Sequence, residues 1–174
     1  KKEYDRRKVT RQYVNIVDEP YRHPAADLEN EIIEENAHLV AAQCQWCEVP
    51  ACVKGCPAGI DIPGFLRRIE ARNYVGAARL IREKNPFGET CGLVCAADLT
   101  CQKNCYRREF TSKPVRIADL QTWVCRHAGE MGWLKPQQAA KPHEVAVMGS
   151  GPTALSCAYY LSLAGCRVSL IGDQ

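Results

Sequence analysis

Two groups of four cysteines dominate the chemistry available to this chain of 174 residues. The first group ends in a Cys-Pro pair, and the second group follows further along the chain. The groups comprise Cys44, Cys47, Cys52 and Cys56, and then Cys91, Cys95, Cys101 and Cys105. Thiolates at short spacing are the ligands of structural zinc and of iron-sulfur clusters. The sequence therefore indicates metal ligation and, if the metal is iron, electron transfer.

The spacing of the first group favours iron-sulfur clusters over zinc. A structural zinc site usually takes two close pairs of ligands separated by a longer loop. Here two, four and three residues separate successive cysteines, and Pro57 follows Cys56. This run resembles that of bacterial ferredoxins with two residues inserted, in which the cysteine before proline ligates the other cluster. We therefore predict two clusters, with Cys56 reaching from its own group to the second.

Helices must bring these cysteines together. Apolar residues recur at helical spacing over 62–72, 74–84 and 114–128, and a first helix starting near Asp27 leads to Cys44. The helices at 62–72 and 74–84 form a hairpin between the two cysteine groups. We expect this hairpin to return the second group to the first.

The composition changes after residues 135–143, which lack periodicity and contain two prolines. A buried strand at 145–148, a glycine loop, a helix over 152–164 and a strand at 167–171 follow. This order is the opening of a dinucleotide-binding βαβ unit, in which a helix N-terminus receives the pyrophosphate. The candidate contacts are Gly149 at the tight turn, Gly151 for close backbone approach, Pro152 in the first helical turn and Ala154 for helix packing.

These features predict four segments: an irregular N-terminal arm at 1–26, a helical domain at 27–134, a linker at 135–143 and the start of a Rossmann domain at 144–174. The 23 lysines and arginines barely exceed the 20 acidic residues, without the clustered basic face of a nucleic-acid binder. No run of 18 apolar residues occurs, so we expect no membrane partner. An odd number of cysteines, 11, beside a nucleotide-binding pattern favours reduced thiols and a cytoplasmic location.

Several short motifs together carry a family resemblance over residues 30–171. They read Cys44-Gln-Trp-Cys47, Gly55-Cys56-Pro57, Asn85-Pro86-Phe87-Gly88 and Cys91-Gly92-Leu93-Val94-Cys95. This pattern resembles the family of dihydropyrimidine dehydrogenase, the glutamate synthase small subunit and the bifurcating transhydrogenase large subunit. The resemblance implies a mainly α fold, in which a helical domain with two 4Fe-4S clusters precedes the first βαβ of a Rossmann-like FAD-binding domain.

By position, the resemblance assigns Cys44, Cys47, Cys52 and Cys105 to one cluster. It assigns Cys56, Cys95, Cys101 and Gln121 to the other, which leaves Cys91 as a spare thiol. From the residues alone, Cys91 is the natural eighth ligand, because a thiolate is a better iron ligand than a neutral amide. Both alternatives stand at this point. The family also places an acidic residue for the adenosine ribose at the position of Gly172, and Asp173 is the candidate one residue later.

The function implied is that of the electron-transfer portion of an NAD(P)H-dependent FAD and iron-sulfur oxidoreductase subunit. It would pass electrons between a flavin and a redox site in a larger partner subunit or an additional catalytic domain. We expect the remainder of the FAD site and the NAD(P)H site to lie outside these residues, and we assign no catalytic acid or base. The alternative is a non-catalytic adaptor of a larger complex, in which the clusters are structural.

Overall fold

The computed structural model describes residues 31–136 and 143–172, and most of its regular structure is helical. The α-helices of the first part are α1 (Glu34–Ala41), α2 (Ala51–Gly55), α3 (Ile62–Glu70), α4 (Tyr74–Arg82), α5 (Gly88–Val94), α6 (Arg108–Thr111) and α7 (Ile117–His127). Short 3-10 helices lie at Ala97–Leu99 and Gly129–Gly132, and the second part contains β1 (Glu144–Met148), α8 (Pro152–Leu163) and β2 (Arg167–Ile171). The mainly α fold with a C-terminal βαβ unit is confirmed.

The α3–α4 hairpin follows the predicted ranges, with each helix ending two residues earlier than expected. Local capping explains where the helices begin. The Asp61 carboxylate accepts a hydrogen bond of 2.9 Å from the Gly64 N–H, and the Asn73 side chain accepts one of 2.9 Å from the Gly76 N–H. Each cap satisfies an N–H group that the first helical turn leaves without a partner.

The core of the helical domain lies between α1, α3, α4 and α7. Side chains that are almost completely buried include Val40, Phe65, Leu66, Ile69, Ile81, Leu120 and Val124. These side chains occupy the regularly spaced apolar positions from which the helices were predicted. Burial of such side chains contributes about 1.5–3 kcal/mol each, so this core holds the frame on which the cysteines sit.

Helix α5 packs unusually close to α7. A Cβ added to Gly92 would overlap Thr122 Oγ1 and lie 2.8 Å from the Ala118 carbonyl oxygen. A Cβ on Gly88 would lie 2.6 Å from the Ile81 side chain. Glycine is therefore required at both positions by the closeness of the neighbouring helices.

The first helix differs from the prediction. Asp27 lies outside the described residues, residues 31–33 are not helical, and α1 begins only at Glu34. The Asn36 side chain accepts a 2.9 Å hydrogen bond from the Ile33 N–H and donates one of 2.9 Å to the Glu31 carbonyl. These two hydrogen bonds hold the residues before the helix in an extended conformation, so α1 begins at Glu34. Helix α7 likewise begins at Ile117 rather than at Pro114.

Strands β1 and β2 form a parallel pair joined by α8. Their register places Glu144 opposite Arg167 and Met148 opposite Ile171. Two adjacent parallel strands connected through a helix make the βαβ unit that the sequence predicted. Within the described residues, no helix combines the length and apolar character needed to cross a membrane.

Candidate iron-sulfur and dinucleotide sites

A small pocket that opens to solvent lies between α2, α3 and the start of α7. Four cysteines line it: Cys44, Cys47, Cys52 and Cys105. Its apolar wall is formed by Ile62, Leu66, Val115 and Ile117. Three cysteines of the first sequence group thus share one cavity with the last cysteine of the second group. We name this cavity the first site.

The thiols of the first site lie within electrostatic range of one another. Burial first, and then the neighbouring Cys44, Cys105 and Cys47, raise the pKa of Cys52 to about 12. The pKa of Cys44 is raised to about 11, mainly by burial and to a smaller degree by Cys47 and Cys105, whereas the Trp46 N–H lowers it. In this site the negative charge of one thiolate disfavours ionisation of its neighbours. Bound metal cations would offset that repulsion, so the arrangement is suited to metal ligation.

Backbone N–H groups point at these sulfur atoms. The Val115 N–H donates to Cys105 Sγ at 3.5 Å, and the N–H groups of Trp46 and Val53 favour the thiolates of Cys44 and Cys52. Hydrogen bonds to the sulfurs are one of the terms that set the potential of an iron-sulfur cluster. Trp46 has a φ of 48°, which is uncommon for a residue other than glycine and persists only where the surroundings enforce it.

Trp46 is held on both sides. Its ring packs against the hydrophobic core, and the Arg67 guanidinium carbon lies 5.0 Å from the ring centroid. At this distance the cation is attracted to the face of the indole. The contact fixes the turn between Cys44 and Cys47 and places a positive charge beside the first site.

The second site gathers Cys56, Cys95 and Cys101. Burial raises the pKa of Cys101 to about 11; the Thr100 hydroxyl lowers it, and the nearby Cys56 and Cys95 raise it. Thr100 Oγ1 also lies 3.8 Å from Cys95 Sγ. One cysteine of the first sequence group therefore lies beside two cysteines of the second.

Gly55 explains how Cys56 reaches that position. A Cβ at Gly55 would lie 2.9 Å from the Thr100 carbonyl oxygen and 2.5 Å from Asn104 Nδ2. Asn104 itself is fixed by a 2.7 Å hydrogen bond from Nδ2 to the Thr100 carbonyl. The end of α2 thus packs directly on the loop that joins Cys101 to Cys105. No side chain could be added there without separating the two cysteine segments.

The two candidates for the eighth ligand lie on the packed helices α5 and α7. Gln121 is 8% exposed, and its Nε2 donates a 2.7 Å hydrogen bond to the Gly88 carbonyl. This bond occupies the amide nitrogen and leaves the amide oxygen, which is the atom able to ligate a metal. Cys91 stands on α5, one turn beyond Gly88, and is half-buried.

The donor set of both sites fits iron-sulfur clusters. All eleven cysteines lie in the described residues and are free thiols. Within the same residues, no three His, Cys, Asp or Glu side chains have the close arrangement of a site for a single metal ion. Two sets of neighbouring thiols, most of them half-buried, with N–H and hydroxyl donors close to the sulfur atoms, are surroundings suited to thiolate-bound clusters.

The glycine loop after β1 joins that strand to the N-terminus of α8, as the sequence predicted. Gly149 has a φ of 116°, and its N–H donates to the Ile171 carbonyl at 2.6 Å, which joins the loop to the end of β2. A Cβ on Gly151 would meet nothing within 4 Å. This open space in front of the helix N-terminus is where a pyrophosphate would approach. Pro152 opens α8, and Ala154, buried in its first turn, lies 3.4 Å from the position of a Cβ on Gly149.

Gly172 stands where the family pattern has an acidic residue, and the fold supplies a reason for the glycine. A Cβ there would lie 3.0 Å from the Ser150 Cβ and 3.3 Å from the Gly149 carbonyl oxygen. A side chain at the end of β2 would therefore make a tight contact, and Ser150 would have to shift by a few tenths of an ångström to admit it. Asp173, the candidate for the ribose contact, lies outside the described residues.

Comparison with known proteins agrees with the cysteine pattern. Residues 22–133 match the family described as dihydropyrimidine dehydrogenase domain II, 4Fe-4S cluster. The chain is 34% identical over 135 residues to the NAD-dependent dihydropyrimidine dehydrogenase subunit PreT of Salmonella typhimurium, covering 77% of this chain and 32% of that protein. It is 30% identical over 158 residues to the glutamate synthase [NADPH] small chain of Azospirillum brasilense, covering 86% of this chain and 33% of that protein.

A third relative, PreT of Escherichia coli K12, is 34% identical over 131 residues, which cover 75% of this chain and 32% of the relative. The chain thus spans about one third of the length of the curated relatives it matches. The family match contains all the cysteines of both sites and Gln121. On this evidence the chain belongs to the family of dihydropyrimidine dehydrogenase domain II, an iron-sulfur domain with a 4Fe-4S cluster.

Proposed function

We propose that this chain is the electron-transfer portion of an NAD(P)H-dependent FAD and iron-sulfur oxidoreductase subunit. The observation that carries the proposal is the exchange of cysteines between the two sequence groups. Cys105 lines the cavity of Cys44, Cys47 and Cys52, whereas Cys56 lies beside Cys95 and Cys101. Two separate thiol sets in one small helical domain are suited to two clusters held close together.

In this proposal the first site binds a 4Fe-4S cluster through Cys44, Cys47, Cys52 and Cys105. The second site binds another through Cys56, Cys95, Cys101 and Gln121. When bound, each cluster would accept and release single electrons. The protein contributes the ligands, the apolar walls that limit water, and the donors to sulfur that raise the potential by stabilising the more negative, reduced state.

A neutral amide from Gln121 in place of a thiolate would make the second cluster less negative. Net cluster charge is one of the terms that set the potential, so the direction of this effect is upward. Three features support the choice of Gln121: its burial, the fixing of its nitrogen by Gly88, and its position on α7 facing α5. Cys91 would then remain a half-buried thiol.

The βαβ unit would bind the ADP part of FAD. Gly151 leaves room for the pyrophosphate at the N-terminus of α8, where the helix dipole favours negative charge. Asp173 is the candidate ribose contact. NAD(P)H would bind in a part of the protein outside these residues, which agrees with the chain spanning one third of its relatives.

The partner would be a larger redox subunit or an additional catalytic domain. The relatives are named as a dehydrogenase subunit and as a small chain of glutamate synthase, each of which implies association with another chain. The partner, rather than these residues, would determine which substrate is reduced. We place the protein in the cytoplasm, where its eleven thiols would remain reduced.

Reduction of the intact protein by NAD(P)H tests the proposal. Freeze-quenched samples, followed by electron paramagnetic resonance, should show both clusters reduced during turnover with the partner present. Clusters that remain in one oxidation state throughout turnover would contradict electron transfer. That result would favour the adaptor alternative, in which the clusters only hold the fold together.

Two single substitutions decide the eighth ligand. If Gln121 ligates the second cluster, Gln121→Ala should lower the iron and sulfide content by one cluster, whereas Cys91→Ser should leave both clusters in place. The opposite pattern would assign the position to Cys91. Iron content, acid-labile sulfide and the resonance signal of the remaining cluster give three independent readings.

A further inference from the structure

Trp133 lies where the helical domain meets the βαβ unit. The Arg82 guanidinium carbon lies over its ring, 4.2 Å from the centroid. The Tyr159 ring lies 5.5 Å from the Trp133 ring at an interplanar angle of 69°, an edge-to-face contact. Tyr159 belongs to α8, the helix that begins at the glycine loop. We call Arg82, Trp133 and Tyr159 the junction.

Arg82 anchors the junction in the helical domain. It is 4% exposed; its NH2 group donates to the Cys125 carbonyl at 2.9 Å, and its NH1 group lies 3.4 Å from the Gly129 carbonyl oxygen. Both carbonyls are at the C-terminal end of α7, where a cation is favoured by the helix dipole. Within the described residues, no acidic side chain forms an ion pair with Arg82. The guanidinium is therefore held by two backbone carbonyls and by the indole of Trp133.

Helix α7 connects this anchor to both cluster sites. Ile117 lines the first site, Gln121 is the candidate ligand of the second, and the Cys125 carbonyl binds Arg82. These three residues are four apart in sequence and so are separated by about 6 Å steps along the helix. The junction consequently lies at the end of α7 nearer to Gln121.

The surroundings of Tyr159 place it in the same environment as Arg82. Burial raises the pKa of the Tyr159 hydroxyl, whereas the Leu134 backbone and Arg82 lower it. The hydroxyl oxygen of Tyr159 is buried. Tyr159 of α8 is thus close to the Arg82 guanidinium, which belongs to α4 and is bound to the Cys125 carbonyl of α7.

We propose that Trp133 is a positioning residue that locks the dinucleotide-binding unit onto the helical domain, through its contacts with Arg82 of α4 and Tyr159 of α8. The lock sets the separation between a flavin bound at the glycine loop and the second cluster site. Electron tunnelling weakens steeply with distance, so a small change in this separation changes the rate of cluster reduction. The inference rests on the proposed function, because only an electron-transfer role gives the separation this consequence.

The test uses the full-length protein with its flavin and clusters, as Trp133→Ala and Trp133→Phe. Trp123→Ala is the matched control, because Trp123 stacks on His127 and contacts Tyr74 edge-to-face within the helical domain, and has no part in the junction. Two rates are measured after mixing with NAD(P)H: reduction of the flavin, and reduction of the clusters by the flavin. Amide hydrogen exchange of residues 129–136 and of α8 reports the lock independently of electron transfer.

For Trp133→Ala we expect flavin reduction at the wild-type rate, cluster reduction slower by roughly three- to tenfold, and faster exchange in α8. Trp133→Phe should restore most of both losses, since it retains an aromatic face for Arg82 and Tyr159. Trp123→Ala should leave both the cluster reduction rate and exchange in α8 unchanged.

Unchanged exchange in α8 together with unchanged cluster reduction in Trp133→Ala would overturn the inference. Equal slowing in Trp123→Ala would also overturn it, because the effect would then belong to the fold as a whole. If Trp133→Ala does not fold, Tyr159→Leu removes the same contact from the α8 side and is read in the same way. Failure of the proposed function is a separate result, because in that case the wild-type clusters themselves would not be reduced.

Discussion

Replacing Gly92 by alanine tests whether the second site depends on the close packing of α5 against α7. The new methyl group would overlap Thr122 Oγ1 and lie 2.8 Å from the Ala118 carbonyl oxygen and 3.0 Å from the Thr122 backbone nitrogen. Two of these atoms belong to the backbone of α7, so rotation of one side chain cannot relieve the contact. Helix α5 must move away from α7.

The expected cost follows from two opposing effects. Overpacking of this kind costs about 1–3 kcal/mol, and the contact with backbone places Gly92→Ala near the upper end. Alanine regains about 1 kcal/mol of helix propensity relative to glycine. The net destabilisation is thus about 2 kcal/mol, concentrated at the interface that carries Cys91 and Gln121.

We expect Gly92→Ala to lower the occupancy of the second cluster and to leave the first cluster intact. Iron and sulfide analysis, with quantified resonance signals of each cluster, measures the outcome. Leu93→Ala is the matched control in the same helix, because Leu93 is 63% exposed. Combining Gly92→Ala with Thr122→Ala should restore part of the occupancy by removing one of the three clashes. Full occupancy of both clusters in Gly92→Ala, or equal loss of both, would refute the reasoning.

Three further predictions concern the glycine loop, the first site and a buried thiol. Gly151 has a φ of −78°, which any residue tolerates, so Gly151→Val should weaken FAD binding at least about tenfold without unfolding the protein. Gly149 has a φ of 116°, so Gly149→Ala should lower the melting temperature. Binding titrations measure the first effect, and thermal melts measure the second. Arg67→Met removes the positive charge over Trp46 and should therefore lower the midpoint potential of the first cluster, as measured in a redox titration. Because Arg67 is exposed to solvent, which screens its charge, the expected shift is only roughly 20–40 mV. Burial raises the pKa of Cys125 from 9.0 to about 11, although the nearby Arg82 acts in the opposite direction. The folded state therefore favours the neutral thiol. This contribution to stability is fully present below pH 9 and is lost as the pH rises toward 11. Urea unfolding should show that Cys125→Ala removes this part of the slope, which is at most about 1.4 kcal/mol per pH unit.

The helices of the core and the βαβ unit could be predicted because their signals are local. The hairpin of α3 and α4 contains apolar residues at helical spacing over nine residues each, and Asp61 and Asn73 stand at their caps. Helices α2 and α5 contain five and seven residues, which is too few turns for a periodic pattern to be recognised.

The spacing predicted two cysteine groups and the crossing of Cys56 to the second group, whereas the place of Cys105 beside Cys44 depends on packing that spacing does not encode. Cys105 meets Cys44 because α3 and α7 wall one cavity, and Cys56 meets Cys101 because Gly55 lets α2 rest on the Thr100 carbonyl. The resemblance to known proteins supplied the same grouping by position. Gly172 departs from the pattern that the resemblance implies, and the tight contact that a side chain there would make with Ser150 is visible only in three dimensions.

The most direct test of the interlaced arrangement compares three single substitutions: Cys44→Ser, Cys105→Ser and Cys101→Ser. Redox titration monitored by electron paramagnetic resonance assigns each loss or shift to one of the two clusters. We predict that Cys105→Ser alters the same cluster as Cys44→Ser, and that Cys101→Ser alters the other. If Cys105→Ser and Cys101→Ser instead alter one common cluster while Cys44→Ser alters the other, the clusters follow the order of the sequence and the arrangement proposed here is wrong.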